Sequence, residues 1–276
     1  MQHITSRRNP IVARFRGAAR RSGPASAPSL LEGPRLIAEA LDAGVTPDLV
    51  AVSHALATHD RWSDLLNRLD RVTELVGVSQ PVMTALSPVS EPSGLVAIAS
   101  LRPARFDSTV STAGPLVLGL LGVQDPGNIG AVIRAAEAGG ASGVVTVGGA
   151  DPYGWKALRG SMGSTLRFPV VRADDAGDIS ADARAKGLRL LAAVPRGGTP
   201  TVEANLSRPC LIWLGTEGLG LSPTVVTGVD ELISVPMRGP VESLNIAVAA
   251  ALITYEAARQ RTHSAVSATD SQGRSA

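Results

Sequence analysis

Residues 116–147, LVLGLLGVQDPGNIGAVIRAAEAGGASGVVTV, contain the pattern that decides the fold class of this chain. A continuous apolar run breaks at residues 125–128, helical spacing follows, and a second apolar run ends the stretch, which predicts strand, loop, helix and strand. The apolar face of the predicted helix, which we expect to be buried, consists of Ile129, Val132, Ile133 and Ala136. Arg134 lies off that face, from where it can reach the loop that opens the helix. Since open α/β sheets bind ligands at this end of their strands, the stretch also predicts a binding site.

The composition bounds the class of protein. A length of 276 residues with 44% hydrophobic residues favours about two domains. No apolar run approaches the roughly 18 residues that span a bilayer, and the N-terminus lacks a signal-peptide core, so we expect a soluble, cytoplasmic protein. Cys210 is the only cysteine and has no partner for an internal disulfide. The four histidines lack the spacing of metal ligands, so we expect no metal.

Positive charge is concentrated at the N-terminus, although the net charge is only +2. Six arginines precede the first acidic residue, Glu32. They are Arg7, Arg8, Arg14, Arg16, Arg20 and Arg21. Such a cluster can neutralise phosphates, and arginine also stacks on bases, so it is a candidate RNA-binding surface. A solvated, arginine-rich terminus in a chain with only two lysines is the alternative, and the cluster alone does not decide between them.

The chain divides into four parts. Residues 1–104 form a predicted small α/β unit, residues 105–115 a linker, residues 116–261 a second α/β unit and residues 262–276 a disordered tail. Strands and helices alternate in the second unit with connections too long for hairpins, which predicts a largely parallel sheet with helices on both faces. The first unit is predicted to contain a helix between Pro34 and Gly44, strands at 48–53, 72–76 and 94–99, and a helix at 62–69.

Three predicted loops with unusual chemistry should emerge on one side of the parallel sheet. They are QDPGNIG at 124–130, GTEGLGLS at 215–222 and PMRGPVESLN at 236–245. The first offers Asn128 at a helix start, and the second places Glu217 between glycines that permit tight turns. The third ends with Ser243 and Asn245, where the last helix begins. Each residue alone has an ordinary explanation as a helix cap, turn residue or solvated carboxylate, but together they favour a ligand site.

The glycine spacing bears on which ligand this site takes. The first loop reads G-x-x-G, so the G-x-G-x-x-G fingerprint of dinucleotide binding is missing, although Asp151 lies at a suitable distance for a ribose contact. The triphosphate-binding pattern G-x-x-x-x-G-K-[ST] is also absent, and the histidines lie outside the three loops. A nicotinamide-dependent dehydrogenase is therefore disfavoured.

The three loops resemble a known family in order and spacing. N128-I-G-x-x-x-R134, L214-G-T-E217-G-x-G-L-S222 and V235-P-M-x-G-x-x-x-S243-L-N245-I-A-V are similar to the three motifs of the SpoU-type RNA ribose 2′-O-methyltransferases. The resemblance covers residues 116–260. More weakly, residues 4–100 resemble the L30e-like substrate-binding domain that often precedes this catalytic domain.

The resemblance implies a SPOUT-class α/β fold with a C-terminal trefoil knot, S-adenosylmethionine as cofactor and a homodimer. The cofactor would be held by main-chain groups and apolar side chains of the second and third motifs. These residues are Leu214, Gly215, Gly218, Val235, Pro236, Met237 and Leu244. Val235 stands where the family commonly has isoleucine, which is a conservative difference. A flat apolar slot with a few hydrogen bonds suits an adenine.

The implied reaction moves a methyl group from a sulfonium to a ribose 2′-hydroxyl, without a metal. In the family, the arginine at the position of Arg134 helps to deprotonate that hydroxyl, yet a guanidinium stays protonated in proteins, so we expect a fixed cation that stabilises the developing negative charge. Asn128, Ser243 and Asn245 would position the reacting groups, and Glu217 would hold the loop or Arg134. Ribosomal RNA is the favoured substrate. The alternatives are transfer RNA and a non-catalytic RNA-binding protein of the same fold.

Overall fold

The computed structural model describes residues 2–20, 27–216, 218 and 220–273, with side chains described up to residue 263. The chain forms two compact units. One consists of Met1–Arg102 and Tyr153–Arg167, and the other of Pro103–Pro152 and Phe168–Ala276. No helix among the described residues is both long and apolar enough to cross a membrane.

The first unit is built on a mixed five-stranded sheet. Its strands are β1 (Gln2–Ile4), β2 (Ser29–Glu32), β3 (Leu49–Ser53), β4 (Leu75–Val78) and β5 (Leu95–Ala99). They lie in the order β1-β4-β3-β5-β2, with β5 antiparallel to both neighbours and the remaining pairs parallel. The helices before residue 102 are α1 (Pro10–Arg20), α2 (Pro34–Asp42), α3 (His54–Ala57), α4 (Ser63–Asp70) and α5 (Gln80–Leu86), with a 3₁₀ turn at Asp60–Trp62.

Two features of the first unit differ from the sequence prediction. The strand expected at residues 72–76 begins at Leu75, because backbone amides of Val72 and Thr73 instead donate to the carbonyl of Leu69 and close the end of α4. The arginine-rich segment before residue 21, for which the sequence predicted no helix, is largely the amphipathic helix α1. Its inward side is apolar, with Phe15 fully buried, so this segment is part of the core.

The second unit contains a seven-stranded sheet, in which every paired neighbour is parallel. The strands are β6 (Leu116–Leu121), β7 (Gly143–Val147), β8 (Val170–Ala173), β9 (Arg189–Ala193), β10 (Thr199–Pro200), β11 (Cys210–Leu214) and β12 (Glu231–Ser234). Their order is β10-β12-β9-β11-β6-β7-β8, which confirms the predicted parallel α/β fold. The helices from residue 103 on are α6 (Phe106–Thr109), α7 (Pro126–Ala138), α8 (Trp155–Ser161), α9 (Ser164–Arg167), α10 (Ala176–Ala185), α11 (Pro223–Thr227) and α12 (Ile246–Gly273).

Helices α8 and α9 belong to the first unit, although the chain enters them directly from the second. Trp155 packs against the apolar cluster of the first unit that contains Phe15 and Leu30, and Arg167 forms an ion pair with Glu39 at 2.6 Å. No local pattern in the sequence predicted this, since residues 153–167 lie inside the stretch that was expected to form one unit. Helices α8 and α9 are held in the first unit by tertiary contacts such as those of Trp155 and Arg167.

The core of the second unit includes one close fit between neighbouring strands. Trp213 on β11 lies in register with Gly119 on β6, and a side-chain carbon at position 119 would stand 2.3 Å from the indole ring. The indole nitrogen donates to the hydroxyl of Ser180 on α10 at 3.1 Å. The apolar face of α7 that the sequence predicts to be buried is confirmed, since all four side chains are at most 1% exposed.

Two boundaries at the ends of the second unit also differ from expectation. The stretch at residues 105–115 contains a short helix, α6, whose Phe106 is buried in the same apolar cluster as Trp213. At the other end, helix α12 continues past Arg261 to Gly273, and residues 274–276 lie outside the described residues. The guanidinium of Arg261 donates to the carbonyls of Leu206 and Gly114, which ties the helix to two loops.

Candidate functional site

Four adjacent strands of the parallel sheet end at one edge and define the candidate site. Strands β12, β9, β11 and β6 are neighbours, so the loops that follow them emerge side by side. Three of these loops are the ones that the sequence singled out. The fourth follows β9 and begins with Val194 and Pro195. The sequence pattern that could have identified this fourth loop is an apolar strand that ends at Pro-Arg-Gly-Gly. The other three loops also begin where an apolar strand ends.

A cavity of about 420 Å³ opens at this edge. Its walls contain Leu214, Gly215, Gly218, Val235, Met237 and Leu244, six of the seven residues proposed for cofactor binding. Pro236, the seventh, is exposed and is not part of the lining. The lining residues that the sequence reasoning missed are Ala193, Val194, Pro195, Thr216, Gly220, Glu242, Ile246, Ala249 and Ile253. Ser243, which was assigned to catalysis, also lies in this wall.

The loop after β11 makes a tight turn along one side of the cavity. The amide of Gly220 donates to the carbonyl of Thr216 at 3.0 Å, and the backbone of Gly218 has a φ of +93°, which favours glycine. A side-chain carbon on Gly215 would stand 2.3 Å from the backbone of Gly220. Glycine is therefore required at position 215 for the turn to close. Glu217, proposed as a catalytic residue, lies outside the described residues.

The helix caps at the site are not those that the sequence suggested. Asp125 caps α7, because its Oδ1 accepts from the amide of Asn128 at 2.9 Å, so Asn128 lies in the first turn of the helix and does not cap it. Asn245 caps α12 and accepts from the amides of Ala247 and Val248. Ser243 lies two residues earlier and is exposed. Asn128 and Ser243 therefore are not the caps of these helices.

Asn128 and Asn245 form a hydrogen bond with each other next to the cavity wall. The Nδ2 of Asn245 donates to the Oδ1 of Asn128 at 3.0 Å, although the two residues are 117 positions apart. This hydrogen bond joins the start of α7 to the end of the loop that contributes Ser243 and Leu244 to the cavity wall. The structure thus brings the first and third motifs into direct contact.

Arg134 lies on the exposed side of α7, six residues after Asn128, which is roughly 9 Å along a helix axis. Within the described part of the chain, no hydrogen bond or ion pair occupies its guanidinium. By contrast, Asp151, the alternative ribose ligand of a dinucleotide site, forms an ion pair with Arg172 at 3.6 Å. An unoccupied cation near the site is available for a phosphate or an oxyanion.

The described N-terminal arginines fall into two groups. Arg7 donates from Nε to the carbonyl of Pro81 at 3.0 Å, and Arg16 donates from Nε to the carbonyl of Ala85 at 3.1 Å, which fastens them to α5. Arg8, Arg14 and Arg20 are exposed. Arg21 lies outside the described residues. The second group is therefore the part of the cluster that is free to meet a polyanion.

Other reactive groups in the described chain give no second site. Burial raises the pKa of the Cys210 thiol to about 11, so it is a neutral thiol at pH 7 and a poor nucleophile. Among the residues described by the structure, no cluster of three or more His, Cys, Asp and Glu side chains could hold a metal ion.

Comparison with known proteins identifies the family. Residues 115–255 match the model of the SpoU rRNA methylase family, and residues 20–97 match the model of the MRM3-like substrate binding domain. The chain therefore belongs to the SpoU rRNA methylase family, and the resemblance stated from the motifs is confirmed.

Relatives span nearly the whole chain. An uncharacterized tRNA/rRNA methyltransferase of Synechocystis is 32% identical over 94% of this chain and 94% of its own. A 23S rRNA (uridine(2479)-2′-O)-methyltransferase of Streptomyces viridochromogenes is 33% identical over 81% of this chain and 83% of its own. The crystal structure of the SpoU methyltransferase AviRb from the same organism, in complex with AdoMet, is 28% identical with a TM-score of 0.84, covering 92% of this chain and 99% of that one.

Proposed function

We propose that this protein is an S-adenosylmethionine-dependent methyltransferase that modifies a ribose 2′-hydroxyl of ribosomal RNA in the cytoplasm. The observation that carries the proposal is the hydrogen bond between Asn128 and Asn245. It joins the helix that bears Arg134 to the loop that walls the cavity. The relative from Streptomyces viridochromogenes is a 23S rRNA 2′-O-methyltransferase, which supports ribosomal RNA as the substrate.

The cavity fits the cofactor in size and in chemistry. Its volume of about 420 Å³ lies in the range of roughly 300 to 1,000 Å³ that is typical of small-molecule sites. Val235, Met237 and Leu244 offer apolar surface to a flat ring, whereas Gly215 and Gly218 leave backbone groups accessible for hydrogen bonds. When bound, S-adenosylmethionine supplies a methyl group on a sulfonium, which is an activated leaving group.

The residues of the chain then have to orient the hydroxyl and stabilise its charge. Arg134 remains protonated and therefore cannot act as the base. As a fixed cation it holds the neighbouring phosphate and stabilises the negative charge that develops on the 2′-oxygen, while the proton leaves to phosphate or water. Asn128 and Asn245 fix the position of α7 relative to the cavity, Ser243 contributes a hydroxyl at the wall, and Glu217 completes the proposed set.

The RNA-binding surface is proposed for the first unit. It comprises the exposed arginines Arg14 and Arg20 on α1 and Arg8 just before this helix, together with Arg7 and Arg16. Arg21, which lies outside the described residues, belongs to the proposed set as well. Helix α8 adds Lys156 and Arg159, which lie three residues apart on one exposed side of the helix. Between residues 153 and 167 the chain contains no acidic residue, so nothing in this segment repels a phosphate.

A homodimer is also part of the proposal. Val248, Leu252 and Tyr255 form an uncharged stripe on the outer side of α12 and are 48%, 45% and 73% exposed. Such a contiguous apolar stripe is typical of a protein interface, and a second copy of this chain is its proposed partner. A monomer in sedimentation at micromolar concentration would contradict this. The C-terminal knot implied by the family resemblance belongs to the same proposal.

The decisive experiment compares ribose methylation across all cellular RNAs with and without the gene, and then in a strain that carries only Arg134→Ala. Loss of a methyl mark from ribosomal RNA in both strains is the expected result. Loss from transfer RNA instead would identify the alternative substrate, and an unchanged pattern would favour a non-catalytic RNA-binding protein. Titration calorimetry with S-adenosylmethionine and with NAD separates the methyltransferase from a dehydrogenase.

A further inference from the structure

The loop of residues 235–244, which we call the pocket loop, has one hydrogen bond to the rest of the described chain. It supplies Val235, Met237, Glu242, Ser243 and Leu244 to the cavity wall. Among the residues that the structure describes, one hydrogen bond connects the pocket loop to the rest of the chain, and no ion pair does. Between its two ends, at β12 and at Asn245, the pocket loop is therefore held in place by this one hydrogen bond among the described residues.

That contact comes from Arg196. Its Nη2 donates to the carbonyl of Val241 at 2.9 Å. Arg196 lies in the loop after β9, and the two residues next to it set its position. Gly197 has a φ of +79°, and a side-chain carbon on Gly198 would stand 2.6 Å from the backbone of Ile233 on β12. The loop after β9 is thus pressed against β12, which places the base of the Arg196 side chain close to the pocket loop.

The position of this hydrogen bond relates it to the cavity. Val194 and Pro195, immediately before Arg196, line the cavity on one side, and Glu242 and Ser243, immediately after Val241, line it on another. The hydrogen bond from Arg196 therefore connects two segments that line the cavity, residues 194–195 and residues 242–243. Arg196 is exposed and has no carboxylate partner in the described chain, so the carbonyl of Val241 is its one protein acceptor.

We propose that Arg196 is a positioning residue whose hydrogen bond to Val241, which we call the latch, holds the pocket loop against the cavity. The latch thereby controls the rate at which the cofactor dissociates. The inference rests on the proposed function, because the ligand of the cavity is taken to be S-adenosylmethionine. Arg196 touches neither the reacting hydroxyl nor the methyl group in this account. Its effect passes through the main chain of Val241 to the residues that follow it in the wall.

The chain offers a matched control in Arg238, which is an exposed arginine of the pocket loop with no hydrogen bond or ion pair in the described structure. Arg196→Ala and Arg238→Ala remove the same charge and the same side chain, but only the first removes the latch. Arg196→Lys keeps one donor that can reach a carbonyl, so it should restore part of the effect.

The test measures the dissociation rate of labelled S-adenosylmethionine by dilution and rapid filtration, with steady-state methyl transfer alongside. Loss of a charge-assisted hydrogen bond at the surface should raise the dissociation rate of Arg196→Ala about five- to tenfold over wild type. Arg238→Ala should stay within about twofold of wild type and Arg196→Lys should lie between them. The KM for the cofactor should rise while kcat at saturating cofactor holds, since the chemistry is untouched.

A second readout reports on the loop directly. Trypsin cleaves after Arg238, so an unlatched pocket loop should be cut faster in Arg196→Ala than in wild type, and bound cofactor should slow the cut. Equal dissociation rates in the two alanine variants would overturn the latch, as would a change confined to RNA affinity. If wild type bound no S-adenosylmethionine at all, the proposed function itself would fail, which is a different result.

Discussion

The side-chain amide of Asn245 serves two elements at once. Its Nδ2 donates to Oδ1 of Asn128 at 3.0 Å, while its Oδ1 accepts from the amide of Ala247 at 2.9 Å at the start of α12. One residue therefore sets both the beginning of the last helix and its distance from α7. Since α7 bears Arg134 and the preceding loop walls the cavity, this amide links the proposed catalytic cation to the proposed cofactor site.

Asn245→Ala and Asn245→Asp separate these two tasks. An aspartate can still accept from the amides of α12 but cannot donate to Asn128, so we expect both variants to lose methyl transfer by about 10²-fold through misplacement of α7. Only the alanine variant should also lose about 1 kcal/mol of stability with its helix cap. Methyl-transfer assays and urea unfolding measure the two effects. Full activity in Asn245→Ala, which leaves Asn128 no partner at position 245, would show that the hydrogen bond to Asn128 is dispensable.

Arg134→Ala should abolish methyl transfer and leave the affinity for S-adenosylmethionine unchanged. The reason is that Arg134 lies outside the cavity lining and is proposed to act on the RNA. We expect Arg134→Lys to keep the charge but lose much of the rate, because a lysine cannot reproduce the planar, bidentate geometry of a guanidinium. Calorimetry gives the cofactor affinity. Full activity in the lysine variant, or lost cofactor binding in the alanine variant, would contradict these roles.

Gly215→Ala should weaken cofactor binding by at least about tenfold, because the new methyl group would meet the backbone of Gly220 and force the turn to open. Gly17→Ala is the control, since Gly17 lies in α1 with no atom within 4 Å of the added carbon. It should leave cofactor binding at the wild-type level. Unchanged cofactor affinity in a folded Gly215→Ala protein would place the cofactor elsewhere.

The triple variant of Arg8, Arg14 and Arg20 to alanine should bind RNA more weakly, and the slope of log affinity against log salt should fall by about two. These three arginines are exposed, so the fold should persist. Deleting residues 1–21 would not give the same information, because it also removes Phe15 from the core. Arg71→Ala removes an exposed arginine next to α4 and is the control. An unchanged salt slope in the triple variant would move the RNA-binding surface elsewhere.

Acid should weaken the side-chain contacts of Glu256 within α12. Hydrogen bonds from Arg259 and Gln260 lower the pKa of Glu256 to about 2 from its usual 4.5, against an opposing effect of burial. A carboxylate with a lowered pKa stabilises the folded state fully above the unfolded pKa, and this contribution disappears as the pH falls towards 2. We expect the free energy of unfolding to decrease between pH 4.5 and 2, and to decrease less in Glu256→Gln. Equal pH dependence in the two proteins would exclude Glu256 as the cause.

Periodicity and motif spacing predicted much of the second unit. The apolar spacing of α7 gave its buried face, and the alternation of strands and helices gave a parallel sheet, because both patterns are local. The cofactor-binding residues came from the family resemblance and not from periodicity, and six of the seven, among them Leu214, Gly215 and Leu244, line the cavity. Pro236 does not line the cavity, because adjacent residues in an irregular loop need not face the same way.

The elements that the sequence did not predict depend on contacts between distant residues. Strand β1 has three residues, which is too short for a periodic signal, and it exists because β4 pairs with it. Because α1 contains several arginines, its apolar face was not predicted, and it becomes evident only from its burial against α5 and the sheet. Likewise, nothing local distinguishes Trp155 as a core residue of the first unit.

The sequence by itself determined the fold class, the family and the edge of the sheet where the site lies. Hydrophobic periodicity and glycine spacing are properties of short stretches of chain, so they can be read directly from the sequence. Only the tertiary structure decided that Asn245 meets Asn128 and that Arg196 holds Val241. Those contacts join residues 117 and 45 positions apart, and such distances are closed only when strands pair and loops converge.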